Sequence, residues 1–183
     1  MDTQPPPFDV TLFLSSPTIS LSGDPPFIAT TVYTCTTLRP IYALISLFSD
    51  FGDHLEVRDP NRGRLADKRI GVVPTMVFDD WDEENLDFID SRLVHVNPGE
   101  KVETTYTFSV VPKAKGLRRS DTASMKESGE YTIELGKRKC WWIDAKEMVE
   151  GMGEQEKKEM LRQRGSCLVW RPTAGKTLFK AVA

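Results

Sequence analysis

Apolar residues recur at every second position along much of this chain, in short runs closed off by proline, glycine and aspartate. The run KVETTYTFSVV, residues 101–111, is the plainest instance. Val102, Thr104, Tyr106, Phe108 and Val110 share one face of an extended chain, whereas on a helix they would scatter around the axis. Phe8, Val10, Leu12 and Leu14 alternate in the same way, as do Tyr131, Ile133 and Leu135. Residues 27–36 follow a Gly-Asp-Pro-Pro turn and are rich in β-branched side chains. IYALISLFS, opened by Pro40, is apolar on both faces, which suits a strand in the middle of a sheet. RIGVVPTMVF, residues 69–78, reads as an edge or bulged strand, because Pro74 lacks the donor that a ladder requires.

Between RLVHV and the run at 101–111 stands Asn97-Pro98-Gly99-Glu100, which predicts a hairpin: proline presets one turn dihedral and glycine supplies the positive φ. SCLVWR and KTLFKAV, on either side of residues 172–175, predict a second hairpin at the C-terminus. Before it lies a helical pattern. Asp144 and Glu147 have capping-box spacing, and Met148, Val149, Met152, Met160 and Leu161 form a thin apolar stripe interrupted by Gly151 and Gly153. A short helix, a break and a second helix to Arg164 are expected there.

Many short strands with one late helical insertion predict a mainly β fold, an antiparallel Ig-like β-sandwich with a short helical insertion at 144–164 before the C-terminal hairpin. The insertion is expected to cover an open end or edge of the sandwich. The 183 residues suit a single domain over 8–183, led by a disordered proline-rich segment at 1–7. Residues 113–129, basic, small and polar, read as a mobile loop.

Twenty-four basic against twenty-seven acidic residues, a net charge of −3, provide no general attraction for nucleic acid or an anionic membrane, so neither is expected as a partner. MDTQPPPFDV has neither a basic leader nor an apolar stretch, and the apolar run 41–48 is too short to span a bilayer, so a soluble cytoplasmic protein is expected. Cys35, Cys140 and Cys167 are odd in number and lie in apolar, strand-like segments, which predicts buried thiols in a reducing compartment.

Chemical motifs are incomplete. PTAGKT, residues 172–177, contains Gly-Lys-Thr, but Trp170 occupies the position where a phosphate-binding loop needs its first glycine. DDWDEENLD, residues 79–87, concentrates carboxylates, yet a calcium loop starting at Asp80 would have Asn85 and Ser91 where glycine and glutamate are required. Two histidines and no Cys-x-x-Cys pair leave no zinc pattern, and neither a metal nor a cofactor is expected. Lys113, Lys115, Arg118 and Arg119 precede Ser120 in a basic cluster that resembles a kinase site. His54, beside Asp53, reads as a loop histidine. His95 alternates with Leu93, which predicts partial burial, and it is a candidate for acid or base chemistry together with Asp144. Trp141 and Trp142 are adjacent, so on a strand they face opposite ways. One is expected in the core and the other beneath Met148 and Met152, holding the helix to the sandwich. The competing expectation is that Trp141, Trp142 and Trp170 line a pocket for a flat or apolar ligand.

VNPGEKVETTYTFSV and GEYTIELGKRKCWWIDAKEMV, in that order, resemble a pattern in uncharacterised fungal β-sandwich proteins. There a Pro-Gly-Glu turn precedes a strand, and a Gly-Glu-Tyr strand runs into Trp-Trp and a short helix. In this chain Ser128 takes the place of the second turn's proline. The resemblance implies the fold and no activity for named residues.

The function these features favour is a non-catalytic soluble binding or scaffold module, taking a protein partner or a small apolar ligand, with a homodimer through a sheet edge compatible with it. The alternative is a cofactor-independent enzyme of cyclase, isomerase or lyase type, acting on an apolar metabolite in an aromatic pocket. A passive small-molecule carrier is the third reading.

Overall fold

The computed structural model describes residues 7–46, 55–59, 63–64, 91–108, 122, 125–136, 138–170 and 176–183. Its strands are β1 (Phe8–Leu14), β2 (Thr18–Ser20), β3 (Ile28–Cys35), β4 (Ile41–Ser46), β5 (Leu55–Asp59), β6 (Gly63–Arg64), β7 (Ser91–Val96), β8 (Lys101–Thr107), β9 (Glu130–Leu135), β10 (Arg138–Asp144), β11 (Ser166–Trp170) and β12 (Thr177–Val182). Between β10 and β11 come a one-turn 3-10 helix, Ala145–Glu147, and helix α1, Glu154–Arg164. The protein is mainly β, as the alternation predicts.

The strands form three sheets, ordered β1-β3-β8, β2-β12-β9-β5-β6 and β11-β10-β4-β7. β12 runs parallel to β2, and the other pairs are antiparallel. The apolar run IYALIS lies centrally as expected, with β10 on one side of β4 and β7 on the other. The sheets of three and five strands face each other across one core. Leu12, Ala29 and Tyr106 meet Ile19, Ile133, Phe179 and Ala181 there. Phe27 joins the two layers, its ring centroid 5.1 Å from that of Phe108 and 5.2 Å from that of Phe179.

Neither predicted hairpin forms. β7 pairs with β4 and β8 with β3, so the Asn97–Glu100 turn carries the chain from one sheet into another. The reason lies in the hand of the turn. Glu100 N–H donates to Asn97 O at 3.0 Å with Gly99 at φ +76, the pattern of a type II turn after Pro98. Its twist splays the flanking strands, whereas tight hairpins use the mirror-image types. The turn is pinned instead to β3: Gly99 N–H donates to Cys35 O, and Cys35 N–H to Glu100 O, each at 2.9 Å. β3–β4 and β7–β8 therefore round the corner together as two paired, bent strands.

At the C-terminus, β11 pairs with β10, and β12 pairs with β9 and β2. Here helix α1 returns the chain alongside β10, which makes β11 the neighbour of the strand that preceded the helix. β9–β10 and β11–β12 thus pass together from the sheet of five into the sheet of four. The four-stranded sheet is built from continuations of both other sheets, joined where Trp142 stands opposite Ala43.

Four further expectations need correction. Pro7, within the segment expected to be disordered, is buried, and its carbonyl accepts from Thr36 N–H at 2.9 Å. The end of the supposed mobile loop is core: Thr122 and Met125 are buried, Met125 against the main cluster. Cys35 and Cys140 are buried free thiols, but Cys167 is exposed on β11, an edge strand. Helix α1 covers the outer face of the four-stranded sheet instead of an edge. His54, Pro74, the acidic run 79–87, the basic cluster 113–119, Ser120 and residues 172–175 lie outside the described residues.

Candidate functional site

The period of a strand separates the tandem tryptophans. Trp142 enters the inner face of the four-stranded sheet with Phe8, Tyr33, Cys35, Ile41, Ala43, Val96 and Cys140. Trp141 lies on the outer face, half-buried among Leu44, Ile143, Leu161, Met148 and Met160. One indole is core and its neighbour is a seat for the helical segment, with Met160 instead of Met152 among its companions. A single pocket lined by both is not formed, because the sheet stands between them. Trp170 stands opposite Arg138 in the register, and its side chain lies outside the described residues.

The helix on this seat is held at both ends. Glu156 accepts from Gly153 N–H at 2.8 Å, and Gly165 N–H donates to Leu161 O at 2.7 Å. Leu161 is fully buried against the sheet. Lys158, largely buried along its stem, reaches Glu154 at 3.3 Å.

Asp144 ends β10 and caps the 3-10 turn, accepting from Lys146 N–H at 3.0 Å. That backbone bond, then the charges of Lys146 and Arg39, hold its carboxyl below the usual aspartate range. Arg39 and Lys146 each stand 3.6 Å away. A carboxylate kept ionised in this way is a poor proton donor near neutrality, and its acceptor capacity is engaged in the cap.

His95 is exposed, contrary to expectation. It shares the outer face of strand β7 with Leu93, which packs against the cluster around Leu161. Its ring meets Tyr42, directly opposite in the register, edge-on at 5.1 Å. Lys157 of helix α1 comes to the other partner of this grouping: its ammonium donates to Tyr42 Oη at 3.4 Å and lies 4.9 Å from the ring centroid. Sequence reasoning missed Tyr42 and Lys157, since only the strand register and the helix seat bring positions 42, 95 and 157 together. Glu100, whose charge interacts weakly with that of His95, is itself held below its usual range, chiefly by Asn97 N–H and then by the Asn97 side chain. Among the described residues no carboxylate hydrogen-bonds the His95 ring, so none of them serves as the orienting acid of a triad.

A second surface is laid out by β1, β3 and β8. Their outward positions form rows, Asp9–Thr34–Lys101, Thr11–Val32–Glu103 and Phe13–Thr30–Thr105. Phe13 is 54 % exposed in the midst of these threonines.

Among the described residues, no group of three or more His, Cys, Asp or Glu side chains is placed to hold a metal ion, and no helix is long and apolar enough to cross a membrane. Neither a protein-family model nor a curated protein matches this sequence.

Proposed function

We propose that this chain is a non-catalytic binding module, soluble and cytoplasmic, of Ig-like sandwich type and akin to the fungal β-sandwich proteins it resembles, docking a protein partner on the outer face of β1-β3-β8. The observation that carries this reading is Phe13, an aromatic side chain 54 % exposed on a regular sheet, with Thr11 beside it on its own strand and Thr30 opposite it on β3. Burying it against a partner removes apolar area from water while the threonine hydroxyls remain able to hydrogen-bond across the contact. The Ig-like assignment is supported by Tyr131 at the start of β9, whose Oη accepts from Lys126 N–H at 2.6 Å. That bond is akin to the tyrosine corner of such sandwiches.

The test is a comparison of wild type with Phe13→Asp in affinity capture from soluble extract, with native mass spectrometry of the purified chain. A stoichiometric protein partner held by wild type and lost by Phe13→Asp supports the module. A retained small molecule that is converted on incubation overturns it.

The enzymatic alternative rests on a different place, the grouping of Tyr42, His95 and Lys157. An ammonium 3.4 Å from a phenol oxygen positions a donor for a substrate oxygen beside the Tyr42 hydroxyl. Conversion of a bound metabolite that Tyr42→Phe or His95→Ala abolishes would establish it.

A further inference from the structure

β8 is the open edge of the three-stranded sheet: it pairs with β3 on one side and, among the described residues, with no strand on the other. Phe108 N–H donates to Phe27 O at 2.9 Å, which sets the phase of the ladder. In an antiparallel pair, every second residue directs both of its backbone groups to the partner strand. Residues 102, 104 and 106 therefore bond to β3, and Lys101, Glu103, Thr105 and Thr107 turn their N–H and C=O groups to the open side. All four are exposed.

Natural edges are commonly blunted by proline, by a bulge or by charges that repel a copy of themselves. β8 has seven residues, KVETTYT, in unbroken register with β3 and without proline. Its two charges are opposite in sign and two residues apart on the outer face. Neither Lys101 nor Glu103 has an ion-pair partner among the described residues.

We propose that two copies of this chain join through β8 in a two-fold antiparallel pair centred on Val102, with Lys101 of each copy facing the partner's Glu103. The choice of register follows from the strand itself. An axis falling between two residues would set an open residue against one already bonded to β3, so it must pass through a residue. Centred on Lys101 or on Glu103, it would put like charges face to face. Centred on Thr104, it would leave both charges opposite threonines. Centred on Val102, it pairs the open backbone groups of Lys101 and Glu103 and both charges at once, while Thr105 and Thr107 run past the contact beside the partner's turn. Val102 is half-buried and packs against the inner cluster, so its side chain meets the partner's Val102 at the non-hydrogen-bonded position, where side chains approach most closely.

The inference goes beyond the partner face and does not rest on it, since the edge can pair whether or not anything covers Phe13. The joined sheet would have six strands and present two such faces side by side.

The contact is short, so association with a Kd on the order of 100 µM is expected for the full chain in sedimentation equilibrium. Lys101→Glu and Glu103→Lys should each weaken it about tenfold or more, by turning two attractive pairs into repulsive ones. An equimolar mixture of the two variants should form a heterodimer, an all-acidic edge against an all-basic one. The double exchange Lys101→Glu/Glu103→Lys should restore the homodimer, and Phe13→Asp should dimerise as wild type does. Circular dichroism of each variant checks that the fold is kept. A wild type monomeric to about 1 mM, single reversals without effect, or a mixture that fails to associate would each overturn the proposal.

Discussion

Gly165 joins helix α1 to β11 at a point where no side chain fits. A Cβ there would run into Leu161 O, stand 2.7 Å from Leu161 Cδ1 and lie 3.1 Å from Trp142 O. Its backbone is extended, so space and not φ demands the glycine. Gly165→Ala is expected to cost about 2 kcal/mol through overpacking, measured as a lowered midpoint in urea unfolding with an unchanged slope. A second residue-scale dependence is the Tyr131 hydroxyl, buried and accepting from Lys126 N–H. Tyr131→Phe strands that N–H beside an apolar ring, and a loss of about 1–2 kcal/mol is expected in the same measurement. Ser128, in the preceding turn, stands where proline could not. Its φ is +62 and its N–H donates to Ala181 O at 2.9 Å, and proline can satisfy neither.

At the scale of elements, helix α1 is short and mostly polar, and one side chain does most to hold it down. Leu161 is fully buried between Leu44 and Ile143. Leu161→Ala is expected to cost about 2–4 kcal/mol and to release the helix before the sheets. Hydrogen exchange should therefore quicken at the helical amides near 161 while those of β9 and β12 keep their protection. The neighbouring cap responds to acid. Asp144 has a folded pKa below its unfolded one, so its stabilising contribution is complete above the ordinary carboxylate pKa and is lost as pH falls through the folded value. Its side chain is about a quarter exposed, which keeps the effect modest. Urea midpoints of wild type and Asp144→Asn should differ at neutral pH and converge towards acid. Element type was legible in the sequence because period two and β-branched content are local properties: β1, β8 and β9 stand where the alternation places them, and β3 where the β-branched run does. Partners were not legible. That Asn97–Glu100 turns a corner follows partly from the type II hand carried by Pro98 and Gly99, but the strand that receives the turn, through Cys35 sixty-odd positions away, is not encoded within residues 91–111. The grouping of Tyr42, His95 and Lys157 was hidden for the same reason, while the opposite facing of Trp141 and Trp142 followed from adjacency alone.

For the whole molecule, the two bent strand pairs make the sheets mechanically dependent on one another. β3–β4 with β7–β8 enters the four-stranded sheet from one side, and β9–β10 with β11–β12 enters it from the other. The two inner clusters also share a side chain, since Val10 packs against both the group around Phe179 and the group around Trp142. Local packing could have made two separable units, but continuous strands and a shared contact oppose that. Tryptophan emission, to which Trp141 and Trp142 of the four-stranded sheet contribute, and far-ultraviolet circular dichroism, which follows the backbone of all the sheets, should give one coincident unfolding curve. Val10→Ala removes two methyl groups from that junction, and the half-burial of the residue limits the expected loss to about 1 kcal/mol. The informative outcome is the shape of the transition. A single curve shifted to lower urea for both probes means that the corners transmit stability between sheets. Two separated curves in the variant would mean that Val10, and not the continuous strands, joins the clusters into one cooperative body.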